Sequence, residues 1–140
     1  MSLSPDRFTG VNAAVLTPVT DDLIPDDALM LEYSNWLMAN GCDGLAILGT
    51  TGEANCFSLK ERIRIIERLI EGGIPSKSLM PGTGSCALTD AVELTRMAVK
   101  AGCGGVLMLP PFYYKNPSDA GLFRFFSEVI QRVGDSNLQI

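Results

Sequence analysis

The stretch DGLAILGTTGEANCFSLKERIRIIERLI, Asp43 to Ile70, decides the fold because it holds a complete unit of strand, loop and helix. Its apolar run Asp43–Gly49 lacks strict alternation, which is typical of a strand buried on both faces of a parallel sheet. Ser58 and Glu61 fit the S-x-x-E capping box that opens a helix, and isoleucines follow at helical spacing. The stretch therefore predicts a strand that runs through a glycine-rich loop into an amphipathic helix.

The same order of strand and helix repeats along the rest of the chain. The predicted strands are Gly10–Pro18, Asp43–Gly49, Ser78–Gly84 and Gly104–Pro111, and the predicted helices are Asp26–Gly41, Leu59–Gly73, Ala87–Gly102 and Ser118–Gly134. Repeated βα units indicate a parallel α/β fold, which is either a doubly wound sheet or a barrel of the (β/α)8 (TIM) type.

The position of the polar loops favours the barrel. Glycines, threonines and tyrosines follow the carboxyl ends of the predicted strands, at Gly49–Glu53, Gly82–Gly84 and Pro111–Tyr114, and that end of a (β/α)8 barrel carries the active site. Such barrels need about 250 residues, whereas this chain has 140, and Asn137–Ile140 resembles the start of a fifth strand. We therefore predict one incomplete domain over residues 1–140, the N-terminal half of a barrel with about four βα units.

Composition narrows the class of protein. The net charge is −5 and no basic cluster is present, so we expect no nucleic-acid partner. No apolar run approaches the ~20 residues of a membrane span and the N-terminus has no signal-peptide core, so we expect a cytoplasmic protein without a membrane partner.

The absence of histidine excludes a Ser-His-Asp triad, and we predict no metal and no other cofactor. The four cysteines, which lack CxxC spacing, are expected to be reduced and mostly buried.

Two loops contain candidate site residues. The glycines of Gly49-Thr50-Thr51-Gly52-Glu53 permit close approach of the backbone, and its amides and hydroxyls would cradle a carboxylate or phosphate. The alternative is a structural turn whose threonines bond only local backbone. Tyr114 is a candidate for proton transfer, or else packs within its loop or a subunit interface.

The lysines do not complete such a site. The chain has four: Lys60, Lys77, Lys100 and Lys115. None lies inside or at the end of an apolar strand, where burial would lower the pKa of the amine for Schiff-base chemistry. We predict that all four are solvated charges.

In this order and spacing, the motifs resemble the dihydrodipicolinate synthase / N-acetylneuraminate lyase family of class I aldolase-like (β/α)8 enzymes. The resemblance runs from Thr17-Pro18-Val19 through GTTGE and GTG to FYYKNPSDAGL, Phe112–Leu122, and so covers nearly the whole chain. It implies a lyase or synthase that forms a Schiff base with pyruvate or another 2-oxo acid. GTTGE is more similar to the synthase branch, which condenses pyruvate with aspartate semialdehyde in lysine biosynthesis. The alternatives are N-acetylneuraminate lyase or another 2-oxo acid aldolase of the family.

The resemblance also implies roles for individual residues. Thr51, with the backbone of Gly49 and Gly52, would hold the keto-acid carboxylate. Thr50 would relay protons with Tyr114, which in tetrameric relatives reaches a neighbouring subunit's site. The Schiff-base lysine and the main catalytic tyrosine belong to later strands of the family's barrel, so we predict that this chain is inactive alone.

Assembly and regulation follow from the same resemblance. The full-length enzyme is expected to be a homo-oligomer, a tetramer or dimer, and the half-barrel to pair through its open edges. A non-catalytic half-barrel that self-associates is therefore the non-enzymatic alternative. Positions that bind feedback lysine in some synthases differ here, so lysine inhibition is not carried over.

Overall fold

The computed structural model describes residues 9–140, which form a parallel α/β arrangement. Strand β1 (Asn12–Ala14) pairs in parallel with β2 (Gly44–Ala46), and Ala13 lies opposite Leu45. Four helices lie in this part of the chain: α1 (Asp27–Ala39), α2 (Leu59–Glu71), α3 (Leu88–Lys100) and α4 (Asp119–Val133). The four predicted helices and the parallel pairing of the first two predicted strands are thus confirmed for the described residues.

Two further segments extend the sheet beyond β2. Leu79 forms a parallel bridge with Leu45, and Gly82 forms another with Leu107. At the far edge, the Val106 amide donates to the Gln139 carbonyl oxygen at 2.9 Å. The segments therefore lie side by side in chain order, as in a barrel, whereas a doubly wound sheet reverses its order at a switch point.

The predicted strands are longer than the observed ones. Ser78–Gly84 and Gly104–Pro111 contain only isolated bridges, and Ser76–Ser78 is a single 3₁₀ turn. Pro81 has no N–H to donate, which removes one ladder hydrogen bond, whereas the Met80 and Gly82 amides still donate to the Leu45 and Ile47 carbonyl oxygens at 2.9 and 2.7 Å.

Local side-chain caps fix where the helices begin. In α2 the Ser58 amide donates to Glu61 Oε2 at 2.8 Å, and the Glu61 amide donates to Ser58 Oγ at 3.3 Å. The Ser118 hydroxyl oxygen accepts from the Gly121 amide at 3.2 Å at the start of α4. The predicted capping box at Ser58 is confirmed, and both caps depend only on residues three positions apart.

The core lies between the sheet and its helices. One cluster packs the strands against α1 and α2 around Leu45, Ile47 and Ile66, and a second lies beneath α3 and α4 around Ala98 and Val129. None of the described helices is long and apolar enough to cross a membrane.

The expected burial of the cysteines was wrong, and two large apolar residues of α1 are exposed. Leu29 and Trp36 of α1 are 46% and 59% exposed, while Met30 and Ser34 form its buried face. The four cysteines are free but not mostly buried, since Cys56 is exposed and the others are half-buried. Helical spacing does not reveal which of two apolar faces meets the sheet.

Within residues 9–140, the opposite face of the sheet is apolar and no described element covers it. Side chains alternate along each segment, so that Val15 and Val106 are buried while their neighbours Leu16 and Leu107 are 55% and 41% exposed. Leu109 continues the same face and is 39% exposed. We call Leu16, Leu107 and Leu109 the inner face.

Candidate functional site

A pocket opens at the carboxyl ends of the strands, between the loop after β2 and the Gly82–Gly84 loop. It encloses about 290 Å³, counting the space open to solvent. Its walls combine apolar side chains with a few polar groups and glycine backbone: Leu48, Ala54, Leu107 and Leu109, with Gly49, Thr50, Asn55, Arg62, Gly82 and Gly84. A small pocket of this composition suits a small ligand oriented by a few polar contacts.

The loop after β2 is held in an unusual conformation. Leu48 and Glu53, which flank it, adopt positive φ values of 55° and 51° although neither is glycine. Each such conformation costs on the order of 1 kcal/mol and persists where surrounding contacts enforce it, often at functional sites. One such contact is the Thr17 hydroxyl, which donates to the Gly52 carbonyl oxygen at 2.8 Å.

The backbone of the GTG turn lies close to the loop after β2 and to the segment around Leu109. A Cβ atom on Gly82 would overlap the Leu48 carbonyl oxygen, and one on Gly84 would lie 2.7 Å from the Leu109 amide nitrogen. Thr83, between them, points away from the pocket into the protein, where its hydroxyl oxygen accepts from the Thr95 hydroxyl at 3.0 Å. The GTG motif is therefore a tight turn whose glycines, not its threonine, line the pocket.

Arg62 of α2 holds this turn in place through hydrogen bonds. Its side chain is buried, with 6% of the residue exposed, and its Nη2 donates to the Gly82 and Gly84 carbonyl oxygens at 2.8 and 3.2 Å. Burial lowers the pKa of the guanidinium, and the negative charge of Asp90 partly opposes that effect. The pocket thus has a cation in its wall.

The structure brings together only some of the predicted site residues. Gly49 and Thr50 line the pocket, Gly52 is buried beneath the loop, and Thr51 is exposed beside it. Tyr114 is 62% exposed and stands edge-on to Tyr113, with ring centroids 5.6 Å apart, and it does not line the pocket.

Arg62 is the pocket residue that the sequence analysis did not select. Its position in the sequence could have indicated burial, because Arg62, Ile66 and Leu69 are spaced along one face of α2. Ile66 and Leu69 are both apolar. A charged residue on the apolar face of a helix is buried only where it has polar partners. The turn carbonyls supply those partners here.

Parallel βα units whose segments lie in chain order, with a pocket at the carboxyl ends of the strands, are typical of the (β/α)-barrel class of proteins. The family model of the dihydrodipicolinate synthetase family matches residues 7–140, so the chain belongs to that family. Its members include synthases and lyases.

Individual relatives agree with this assignment. The chain is 39% identical over 131 residues to a 4-hydroxy-tetrahydrodipicolinate synthase of Pelobacter propionicus, covering 90% of this chain and 43% of that one. Dihydrodipicolinate synthase from Agrobacterium tumefaciens superimposes with a TM-score of 0.87 and 35% identity, over 90% of this chain and 44% of that one. YagE from Escherichia coli, a family member solved in complex with pyruvate, gives a TM-score of 0.80 and 31% identity. The match covers 89% of this chain and 42% of that one. The chain spans about two-fifths of the length of these relatives.

Proposed function

We propose that this chain supplies the first four βα units of a pyruvate-dependent lyase or synthase. Residues 1–140 would form one incomplete domain, the N-terminal half of a (β/α)8 barrel. The observation that carries the proposal is the pocket formed by Gly49, Thr50 and the GTG turn at the carboxyl ends of the strands. Its support is the family membership together with the pyruvate complex of YagE.

The reaction would use this loop to hold the substrate. Thr51 and the backbone amides near Gly49 and Gly52 would bind the carboxylate of pyruvate, since amides and hydroxyls are suitable anion donors. Thr50, which faces the pocket, would pass protons to and from the Tyr114 phenol across a subunit contact. The aldehyde partner in the synthase branch would be aspartate semialdehyde.

The nucleophilic amine would come from outside these residues. All four lysines of the chain are exposed, and none lines the pocket. An amine nucleophile needs a neutral nitrogen, which burial provides and bulk water does not. The chain alone would therefore bind the keto acid without forming the Schiff base.

Titration of pyruvate into the 15N-labelled chain tests the binding role. We expect saturable shifts of the amide resonances of residues 49–52. Thr51→Val should weaken binding about tenfold, the effect of losing one charge-assisted hydrogen bond, whereas Thr51→Ser should retain it. Absence of any saturable shift at these amides would contradict the cradle.

Borohydride trapping with labelled pyruvate tests the amine assignment separately. We expect no covalent label on the 140-residue chain, because none of its four lysines lines the pocket. A Schiff base on any of Lys60, Lys77, Lys100 or Lys115 would refute this assignment, and peptide mapping would identify it. A relative of full length, such as the Agrobacterium tumefaciens synthase, serves as the positive control.

The exposed inner face favours a second candidate, a half-barrel that pairs with another copy. Leu16, Leu107 and Leu109 form an apolar surface on the sheet, and a sheet with open edges readily adds another strand. Static light scattering distinguishes the two states: a dimer supports pairing and a monomer at high concentration opposes it.

A further inference from the structure

Two buried threonines join helix α3 to the GTG turn. Thr83 and Thr95 are both fully buried, and the Thr95 hydroxyl donates to the Thr83 hydroxyl oxygen at 3.0 Å. A hydroxyl buried among apolar groups is unfavourable unless it has a hydrogen-bond partner, so each threonine of this pair needs the other. The remaining residues on the buried face of α3 are apolar: Ala91, Val92, Leu94 and Ala98.

The turn that contains Thr83 packs directly against the start of the loop after β2. A Cβ atom on Gly82 would overlap the Leu48 carbonyl oxygen and lie 3.1 Å from the Gly49 amide nitrogen. The Gly82 amide also donates to the Ile47 carbonyl oxygen at 2.7 Å. Leu48 has a positive φ of 55°, a conformation that persists only where its surroundings enforce it. The Gly82 backbone is part of those surroundings, so the position of the turn affects the conformation of Leu48.

We propose that Thr95 is a positioning residue, which holds the GTG turn through Thr83 and so fixes the backbone of the loop after β2. The hydroxyl pair fixes the turn, Gly82 packs on the Leu48 peptide group, and Leu48 leads directly into the pocket-lining start of the GTTGE motif. Thr95 does not line the pocket, so it acts only through these residues. Binding geometry must be held to within about 0.5 Å, which locked residues behind a site provide. The effect on keto-acid binding rests on the proposed function, whereas the effect on Leu48 does not.

Nuclear magnetic resonance of Leu48 tests the positioning role without any ligand. Its carbon chemical shifts and the coupling between its amide and α protons report its φ angle. Thr95→Val leaves the Thr83 hydroxyl buried without a partner, which favours displacement of the turn. We expect the Leu48 signals to move toward those of an extended residue, and Thr95→Ser, which keeps the hydroxyl, to preserve them. Thr89→Val makes the same chemical change at an exposed position of α3 and should also preserve them.

A double variant separates positioning from simple packing. Thr95→Val should lower the urea concentration at the unfolding midpoint, whereas Thr83→Val/Thr95→Val leaves no hydroxyl unpaired and should unfold near the wild-type midpoint. We expect the double variant nevertheless to keep the displaced Leu48 signals, because no hydrogen bond fixes the turn. Its affinity for pyruvate should be roughly threefold or more below that of the wild type, the effect of one hydrogen bond. A packing role predicts instead that midpoint, Leu48 signals and pyruvate affinity recover together.

Two outcomes would overturn the proposal. One is a folded Thr95→Val chain whose Leu48 signals match those of the wild type. The other is a double variant in which the Leu48 signals return to their wild-type values. If Thr95→Val fails to fold, the double variant decides the question alone, since displaced Leu48 signals support the proposal and wild-type signals refute it. Failure of the wild-type chain to bind pyruvate would contradict the proposed function and leave the Leu48 result unaffected.

Discussion

Gly52 is buried in the loop after β2, and the two atoms closest to a Cβ added at this residue belong to the backbone. A Cβ atom at this position would lie 2.8 Å from the Val15 carbonyl oxygen and 3.0 Å from the Leu48 amide nitrogen. Backbone atoms cannot rotate aside as a side chain can. The geometry of the candidate keto-acid loop therefore depends on the absence of a side chain at this residue.

Gly52→Ala should lower the free energy of unfolding by about 1–3 kcal/mol, because the added methyl group forces the strand ends apart. Urea denaturation followed by circular dichroism measures the change. Gly49→Ala is the control: its Cβ would meet only the flexible Leu107 side chain, at 3.3 Å, and should cost no more than about 0.5 kcal/mol. Equal losses in the two variants would contradict the steric argument.

At the scale of elements, α2 connects the two loops of the pocket. It begins at the capping box of Ser58 and Glu61, just after the GTTGE loop, and its Arg62 holds the GTG turn. The Glu61 carboxylate accepts from the Ser58 hydroxyl at 2.7 Å and from the Ser58 amide at 2.8 Å. The start of one helix thus fixes the position of the cation in the pocket wall.

Ser58→Ala should destabilise the chain by about 0.5–2 kcal/mol, since it removes the acceptor for the Glu61 amide and one donor to the carboxylate. Lys60→Ala is the control, because Lys60 is exposed in the same first turn and makes no cap. Chemical denaturation at pH 7 measures both. A loss in Ser58→Ala no larger than in Lys60→Ala would show that the cap contributes nothing.

The capping box also predicts a pH dependence. Hydrogen bonds from the Ser58 side chain and then its backbone lower the pKa of Glu61 below its usual 4.5. The folded-state pKa is depressed, so this stabilisation is present above pH 4.5 and is lost as pH falls through the folded-state pKa. The difference in unfolding free energy between wild type and Glu61→Ala should shrink across that window. A difference that does not change with pH would contradict this role of the capping box.

At the scale of the whole molecule, the decisive feature is that, among the described residues, helices cover one face of the sheet and no element covers the other. Leu45 and Leu79 are fully buried under α1 and α2, whereas Leu16 and Leu107 are exposed. In a closed barrel the corresponding positions fill the interior in layers. An uncovered apolar face of this kind favours association, through the hydrophobic effect and through the open strand edges.

Self-association should therefore depend on the inner face. The double variant Leu16→Ser/Leu107→Ser should weaken any dimer at least tenfold, because two buried leucines contribute more than the 1.4 kcal/mol that a factor of ten requires. Leu23→Ser, at a residue 77% exposed and outside the inner face, is the control. Light scattering over a concentration series measures the dissociation constants, and equal weakening by both changes would exclude pairing through this face.

Interactions between residues close together in the sequence were enough to predict the helices and some of the residues that line the pocket. The caps at Ser58 and Ser118 act over three residues, and the GTTGE loop follows its strand directly, so Gly49 and Thr50 could be placed at the pocket before any fold was known. The order of strands and helices also follows from local patterns of apolar residues.

Only the tertiary structure decided which surfaces meet. The sequence did not indicate that Met30 rather than Leu29 would face the sheet, that Arg62 would be buried beneath the GTG turn, or that Tyr114 would lie outside the pocket. Each of these depends on a partner far away along the chain. Hydrogen bonds of a cap are set within one helical turn, but the burial of a side chain is set by whichever distant element packs against it.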